Sequence, residues 1–516
     1  MYALQGFRAR VMRGKSTDLP IRTQFALAIG DIIGELSRRI TGGGGSVVGG
    51  RVAMLIDTQA LARATCDKPV ILVTGTNGKT TTTAFIASIL KSNGQGIVAV
   101  NQTGSNMPAG IVTAVASTLN FERAVFEVDE RYLPELIVST QASVVVLLNL
   151  SRDQLDRSSE VRMLSQRWHR AFESNGESES AMTIVANCDD PLVVWGAITA
   201  SRVVWVSVGL GWKLDAVGCP ACGGRISFEQ DHVEMVKSNP GEASESGDGL
   251  YNANHRYYWS CTCGFSRPTP SSWLEIDSNG YSWLITTDKS RHQLQLKIPG
   301  EFNVGNALMA LSATECVGID SSEALRAIES VREVVGRFSI KIVSGVRTRL
   351  LLAKNPAGWL EMIKLQMTNN RPVVVAINSR IADGKDPSWL WDVPFELLSN
   401  RTIIASGERC RDLSVRLHYA NIEHQVVPDT KDAIRAALEN SKRTQVQQLA
   451  ASNPTDLPQR KTYLYPGALP DTSRIDYVDI QKAYPRASYD QRTDCDQHDV
   501  EFIGNYTAFH ELLRHL

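Results

Sequence analysis

The stretch Pro69-Val-Ile-Leu-Val-Thr-Gly-Thr-Asn-Gly-Lys-Thr-Thr-Thr-Thr83 decides the reading of this chain. Val70 to Val73 is a short apolar run of the kind that forms a buried parallel strand. A glycine-containing turn follows, and Thr81 to Leu90 then has helical texture. A strand, a tight turn and a helix opening on Lys-Thr cradle phosphate, because backbone N–H groups at a helix N-terminus point at the anion. Lys79 adds charge and Thr80 can ligate magnesium. The spacing departs from the general pattern, since Val73 stands where a first glycine is usual. Gly-Lys-Thr alone also occurs in ordinary turns; the strand before it and the threonine-rich helix after it favour a nucleotide loop. Gly75, Thr76, Asn77, Gly78, Lys79, Thr80 and Thr81 are the candidate nucleotide-binding residues.

Outward from this loop, apolar runs recur at Arg123 to Val128, Ser143 to Leu150 and Thr183 to Ala186, with helical stretches between them. Strands alternating with helices imply a parallel sheet with crossover helices. A second set, Leu350 to Leu352, Val373 to Ile377 and Thr402 to Ala405, implies a separate C-terminal α/β domain. Residues 215–270 break the rhythm with cysteines, aromatics and a polar stretch, and read as an insertion before the α/β texture resumes near Lys297. Upstream, residues 21–40 read as an amphipathic helix ended by Gly42 to Gly45. The expected division is an N-terminal helical and glycine-rich segment at 1–50, a nucleotide-binding domain at 51–330 and a C-terminal α/β domain at 331–516. The polar stretches at 238–254 and 452–460 read as surface loops.

A chain of 516 residues is too long for one core. A net charge of -1 argues against duplex DNA as a partner. No apolar run approaches the roughly 20 residues of a membrane span, and Met1 to Arg22 lacks the apolar stretch of a secretory peptide. The cytoplasm is the expected compartment.

Five of the nine cysteines are scattered, and buried thiols are the simplest reading for most of them. The other four form two close pairs, Cys219-Pro-Ala-Cys222 and Cys261-Thr-Cys263-Gly. Four thiolates can complete a tetrahedral zinc shell. The second pair is tighter than the usual spacing, so the pattern leaves both a zinc site and four free thiols open. A zinc module of this kind can bind nucleic acid, but here it lacks a dense basic stripe.

The string Thr74-Gly-Thr-Asn-Gly-Lys-Thr-Thr-Thr82 resembles that of the Mur ligase family, which activates a carboxylate as an acyl phosphate and attacks it with an amine. Further landmarks follow in order. Glu127 in Phe-Glu-Val-Asp-Glu ends an expected strand, where the family places a magnesium-binding glutamate. Asn149-Leu-Ser-Arg-Asp-Gln-Leu-Asp-Arg157 and Asn187-Cys-Asp-Asp-Pro191 are similar to two more family segments. Gly300-Glu-Phe-Asn-Val-Gly-Asn306 matches a stretch that approaches adenine, and Gly336-Arg337 matches the pair before the C-terminal domain. The resemblance thus implies ATP and Mg2+, with Thr80 and Glu127 on the metal and Asn306 and Arg337 on the nucleotide.

The departures point to one branch. Gln154 stands where amino-acid-adding members carry a histidine, and Trp168 where they carry a carbamylated lysine. No N-terminal domain for a UDP-linked precursor is recognisable. These features, the cysteine pairs, Leu352-Ala-Lys-Asn-Pro-Ala-Gly358, Asp383-Gly-Lys-Asp-Pro-Ser-Trp-Leu-Trp-Asp392 and Asn505-Tyr-Thr-Ala-Phe509 resemble the MurT branch. That resemblance implies a Mur-ligase central domain with an inserted four-cysteine zinc ribbon (Cys219, Cys222, Cys261, Cys263), plus a Rossmann-like C-terminal domain. It implies amidation of the D-glutamate α-carboxylate of lipid II, using ammonia from a GatD-type glutaminase in a heterodimer at the inner face of the membrane. Asp386 is then the residue that completes the partner's Cys-His-Asp triad. Two rivals remain: an amino-acid-adding Mur or folylpolyglutamate-synthase-like ligase, and a non-enzymatic nucleotide-switched binding module.

Overall fold

Val70–Thr74 forms β1, every residue of it buried, in the computed structural model of the chain. The structure describes residues 19–41, 47–94, 96–101, 104–118, 120–152, 161–175, 182–229, 258–276, 282–334, 337–367, 369–399, 401–451 and 498–516. Gln154, Asp156, Gly336, the polar stretches at 238–254 and 452–460, and residues 1–18 and 42–46 of the N-terminal segment lie outside these residues.

Around β1 stand β2 (Val98–Val100), β3 (Arg123–Glu127), β4 (Val144–Leu147), β5 (Thr183–Asn187) and β6 (Val203–Ser207). Beyond β7 (Ile226–Glu229) and β8 (Tyr258–Cys261) come β9 (Ser272–Ile276), β10 (Ser282–Ile285) and β11 (Arg291–Gln293). One sheet has the order β11-β10-β9-β6-β5-β4-β1-β3-β2. It is parallel from β2 through β9, and β10 and β11 continue it antiparallel. The central strands β1 and β4 are almost wholly Val, Ile and Leu because both faces are covered. One core lies among Leu72, Phe126, Val145 and the helix Pro108–Ser117; the other lies among Ile71, Val146, Phe85 and the helix Glu301–Glu315.

Because β1, β3 and β4 run parallel, their carboxyl ends lie together at one edge of the sheet. In parallel α/β sheets that edge is where ligands bind, in the crevice where strand order changes direction. Here β1 sits between β3 and β4, so Gly75, Glu127 and Leu148 converge there.

The antiparallel β7–β8 hairpin forms its own two-stranded sheet inside the expected insertion. The remaining strands, β12 (Phe338–Val343), β13 (Val346–Leu352), β14 (Val373–Ala376), β15 (Ile403–Ser406), β16 (His424–Val426) and β17 (Val500–Gly504), form a second sheet in the order β12-β13-β17-β14-β15-β16. Residue contacts divide the chain into two units: Met1–Ser339 with Leu352–Met362 and Asp383–Val393, and Ile340–Leu351 with Ile363–Ala382 and Pro394–Leu516. Among the described residues, no helix is long and apolar enough to cross a membrane.

Candidate active site

The turn after β1 needs glycine at two places. Gly75 has φ +136° and Gly78 φ +89°, both in the region that side chains resist. A Cβ on Gly75 would lie 2.8 Å from Leu148 Cβ, and one on Gly78 would lie 2.4 Å from Asn306 Oδ1. The loop is therefore drawn tight against β4 on one side and the helix Glu301–Glu315 on the other.

The segment after β4 holds the loop in shape. Thr76 N–H donates to the Asn149 carbonyl and Asn77 N–H to Asn149 Oδ1, both at 2.9 Å, and Asn149 Nδ2 returns a bond to the Asn77 carbonyl at 3.0 Å. Thr76 Oγ1 donates to the Ser151 carbonyl and accepts Ser151 N–H, each at 2.9 Å. This network leaves the loop shaped before any ligand arrives.

The helix Lys79–Ser92 begins at the loop, and Lys79, Thr80 and Thr81 form its buried first turn. Lys79 Nζ donates to the carbonyls of Gly75 and Thr76 and lies 2.7 Å from Glu130 Oε1. Thr80 Oγ1 donates to Glu127 Oε2 at 2.8 Å, and Arg337 Nη2 lies 3.5 Å from the same hydroxyl. Glu127, at the carboxyl end of β3, is 4% exposed. A hydroxyl and a carboxylate held together are hard oxygen donors of the sort Mg2+ takes, and the glycine cradle fits a triphosphate. The residues present fit both groups. Asn306 closes the far side, its Nδ2 donating to Asn303 Oδ1 at 3.2 Å.

Of the residues singled out in the sequence, the fold thus brings together Gly75 to Thr80, Glu127, Asn306 and Arg337. Asp386 is not in this network. It is exposed, and its Oδ1 accepts Ser388 N–H at 2.8 Å, just ahead of the short helical turn Ser388–Asp392. Trp389 and Leu390 beneath are buried and anchor that turn. Glu130 was missed. It stands in the quoted motif Phe126-Glu-Val-Asp-Glu130, and a second carboxylate just beyond a buried strand was the available signal.

The four cysteines meet, although 38 positions separate Cys222 from Cys261 in the numbering of intervening residues. Their sulfurs all lie within 4.8 Å of one another. Cys219 and Cys263 are 3.8 Å apart and Cys222 and Cys261 3.6 Å, close to the ~3.8 Å between vertices of a tetrahedron with Zn–S bonds of about 2.3 Å. The donor set fits zinc. Burial pushes the Cys219 thiol up to about 12, whereas the N–H of Cys263 brings Cys261 down to about 7.

A buried ionic contact fastens this module to β5 and β6. Arg267 Nε donates to Asp189 Oδ1 at 2.7 Å, with side-chain exposures of 4% and 0%. Asp189 also accepts Ser207 Oγ and Gly209 N–H. Trp259, fully buried, donates its indole N–H to the Cys188 carbonyl at 3.1 Å. The adjacent Asp190 faces the other way, accepting Leu150 N–H at 2.8 Å and capping the helix Pro191–Ala197. Burial raises its carboxyl to about 6 despite three N–H donors.

Residues 73–213 match the Mur ligase middle domain, and residues 352–452 match the MurT ligase C-terminal domain. The chain is 28% identical over 404 residues to the lipid II isoglutaminyl synthase (glutamine-hydrolyzing) subunit MurT of Staphylococcus aureus strain N315, covering 75% of this chain and 86% of that one. The corresponding subunit of Streptococcus pneumoniae is likewise 28% identical, over 76% and 86% of the two chains. Among solved structures, a type C pseudomurein peptide ligase from Methanothermus fervidus superposes with a TM-score of 0.54 at 21% identity, over 87% of this chain and 79% of that one. The chain thus carries a Mur ligase middle domain over residues 73–213 and a MurT-type C-terminal domain over residues 352–452.

Proposed function

We propose that this chain is the synthetase subunit of a lipid II isoglutaminyl synthase, amidating the α-carboxylate of D-glutamate in the stem peptide. One observation carries the reading: a Mur-type phosphate loop, with Glu127 on Thr80, shares a chain with a MurT-type C-terminal domain. The relatives that match over most of their length are named as subunits of that glutamine-hydrolysing enzyme, which supports a partner for this chain.

ATP lies along the Gly75–Thr80 loop, its adenine toward Asn306. Loop N–H groups and Lys79 would bind the phosphates, and Thr80 and Glu127 would hold Mg2+, which would supply charge neutralisation for phosphoryl transfer. The substrate carboxylate oxygen attacks the γ-phosphorus, breaking its bond to ADP and forming an acyl phosphate. Ammonia then attacks the acyl carbon; the C–N bond forms, the C–O bond to phosphate breaks, and nitrogen loses a proton. The glutaminase partner is of the GatD type, and Asp386 on its exposed turn orients that partner's catalytic histidine. The complex works at the cytoplasmic face of the membrane, where lipid II is anchored.

The test is amine-donor choice. With ATP and lipid II, the chain should incorporate ammonium; incorporation of a free amino acid instead would sink the reading in favour of an amino-acid-adding ligase. With the partner present, Asp386→Asn should lower glutamine-dependent amidation by about 10⁴-fold, as loss of a histidine-orienting aspartate does elsewhere, while sparing the ammonium-dependent reaction. Equal loss of both would place Asp386 in the synthetase site.

The four cysteines form a structural zinc site with no open position. Purified chain should contain one zinc ion. Because binding displaces thiol protons, zinc affinity should fall as pH is lowered, and more steeply below about 7, where Cys261 too must lose a proton to bind. Metal analysis after dialysis across pH checks this; retention independent of pH would remove thiolate ligation from the account.

A further inference from the structure

Two carboxylates reach the phosphate loop, and Glu127 is only one of them. The other, Glu130, lies 2.7 Å from Nζ of Lys79, with both side chains largely buried at 15% and 10% exposure. The same ammonium also donates to two loop carbonyls, Gly75 and Thr76. Glu130 is aimed by a rigid turn. Its carbonyl accepts the indole N–H of the fully buried Trp168 at 3.0 Å. Before it, Asp129 N–H donates to the Asn106 carbonyl, and the Asp129 carboxylate is gripped by Arg131 at 2.9 Å through two nitrogens. Tyr132 N–H closes the turn on the Asp129 carbonyl at 3.0 Å.

We propose that Glu130 is a positioning residue that fixes the direction of the Lys79 ammonium on the transferring phosphoryl group; this rests on reading Gly75–Thr80 as the ATP loop. A lysine is a point charge on a flexible four-carbon stem, so the helix alone does not set where its charge sits. Electrostatic stabilisation depends on charges placed before the transition state forms. Glu130 supplies that placement. The same carboxylate also offsets positive charge facing the triphosphate, so it opposes ground-state nucleotide binding. Its contribution therefore belongs to turnover and not to affinity.

The full-length chain, with ATP, lipid II and ammonium as donor, tests this through Glu130→Gln, Glu130→Asp, Lys79→Met and the double variant Glu130→Gln/Lys79→Met. Glu130→Gln should lower kcat about 100-fold, with KM for ATP no higher and the Kd for ADP a few-fold tighter. Glu130→Asp keeps the charge one methylene short and should recover part of kcat. Because Glu130 acts through Lys79, the double variant should be no slower than Lys79→Met alone. Additive losses in the double variant, or a Glu130→Gln defect lying wholly in KM, would overturn the proposal. If Glu130→Gln fails to fold by thermal melt, Glu130→Asp carries the same cycle. Absence of amidation in the wild-type chain would defeat the proposed function but leave this inference decidable on ADP affinity alone. Glu130→Gln should then tighten ADP when Lys79 is present and have no effect in the Lys79→Met background; the same change in both backgrounds overturns it.

Discussion

Replacing Glu127 by glutamine should cut ammonium-dependent turnover by about 100- to 1,000-fold, the loss that follows removal of one preorganised electrostatic contact at a reacting oxygen. The substitution is a clean one in this fold. Glu127 N–H donates to Asn101 Oδ1 and its carbonyl accepts Asn101 Nδ2, both at 2.8 Å, so the backbone at the end of β3 stays where it is. Glutamine keeps the length and a bond to Thr80 Oγ1 but loses the negative charge. Magnesium is a hard cation that dehydrates reluctantly and depends on carboxylate charge. The Mg2+ concentration giving half-maximal rate should therefore rise, and high Mg2+ should restore part of the loss. A variant with reduced rate and unchanged Mg2+ dependence would leave Glu127 as a hydrogen-bond partner of Thr80 and nothing more.

The central sheet was legible because its strands are buried on both faces. Val70 to Val73, Ala124 to Phe126 and Ile184 to Ala186 are apolar runs, and the structure has strands at all three. Its edges were not. β2 is three residues long, and β9 joins β6 through only two registered pairs, Val206 with Ser272 and Ser207 with Trp273. Such short contacts leave little periodicity to read.

In the C-terminal sheet the missed element is central. β17 lies between β13 and β14, yet its sequence is Val-Glu-Phe-Ile-Gly, and the charged residue breaks the apolar pattern. Glu501 is fully buried there, paired with Arg349 on β13 and with His498, both also buried. His498 is in the core and Val500 begins the strand. A buried ion pair made by residues 152 positions apart is invisible to local pattern. The same holds at the candidate site. Glycine spacing and Glu127 follow from motif, whereas the Lys79–Glu130 pair depends on how the turn after β3 folds back.

The Arg267–Asp189 pair is the other contact of this kind, and its rupture should have the largest effect on stability. Arg267→Ala leaves the Asp189 carboxylate buried at 1% exposure, with neutral donors alone from Ser207, Gly209 and the Cys188 thiol among its hydrogen bonds. Removing one partner of a buried ion pair costs about 3–5 kcal/mol, because the remaining charge is left uncompensated. Urea unfolding of the variant should show that loss as a lower midpoint with little change in slope. Asp189→Asn combined with Arg267→Met should regain most of it, since burying neither charge removes the desolvation penalty along with the attraction. The consequence should also reach the nucleotide loop. Asp189 is bonded in sequence to Asp190, Asp190 holds Leu150 N–H, and the flanking Asn149 and Ser151 hold Asn77 and Thr76. Arg267→Ala should accordingly weaken ADP binding several-fold under conditions where the chain remains folded, and the double variant should restore it. Additive losses in the double variant would mean that the two side chains stabilise the fold independently. The cysteine module would then be a passenger on β5 and β6.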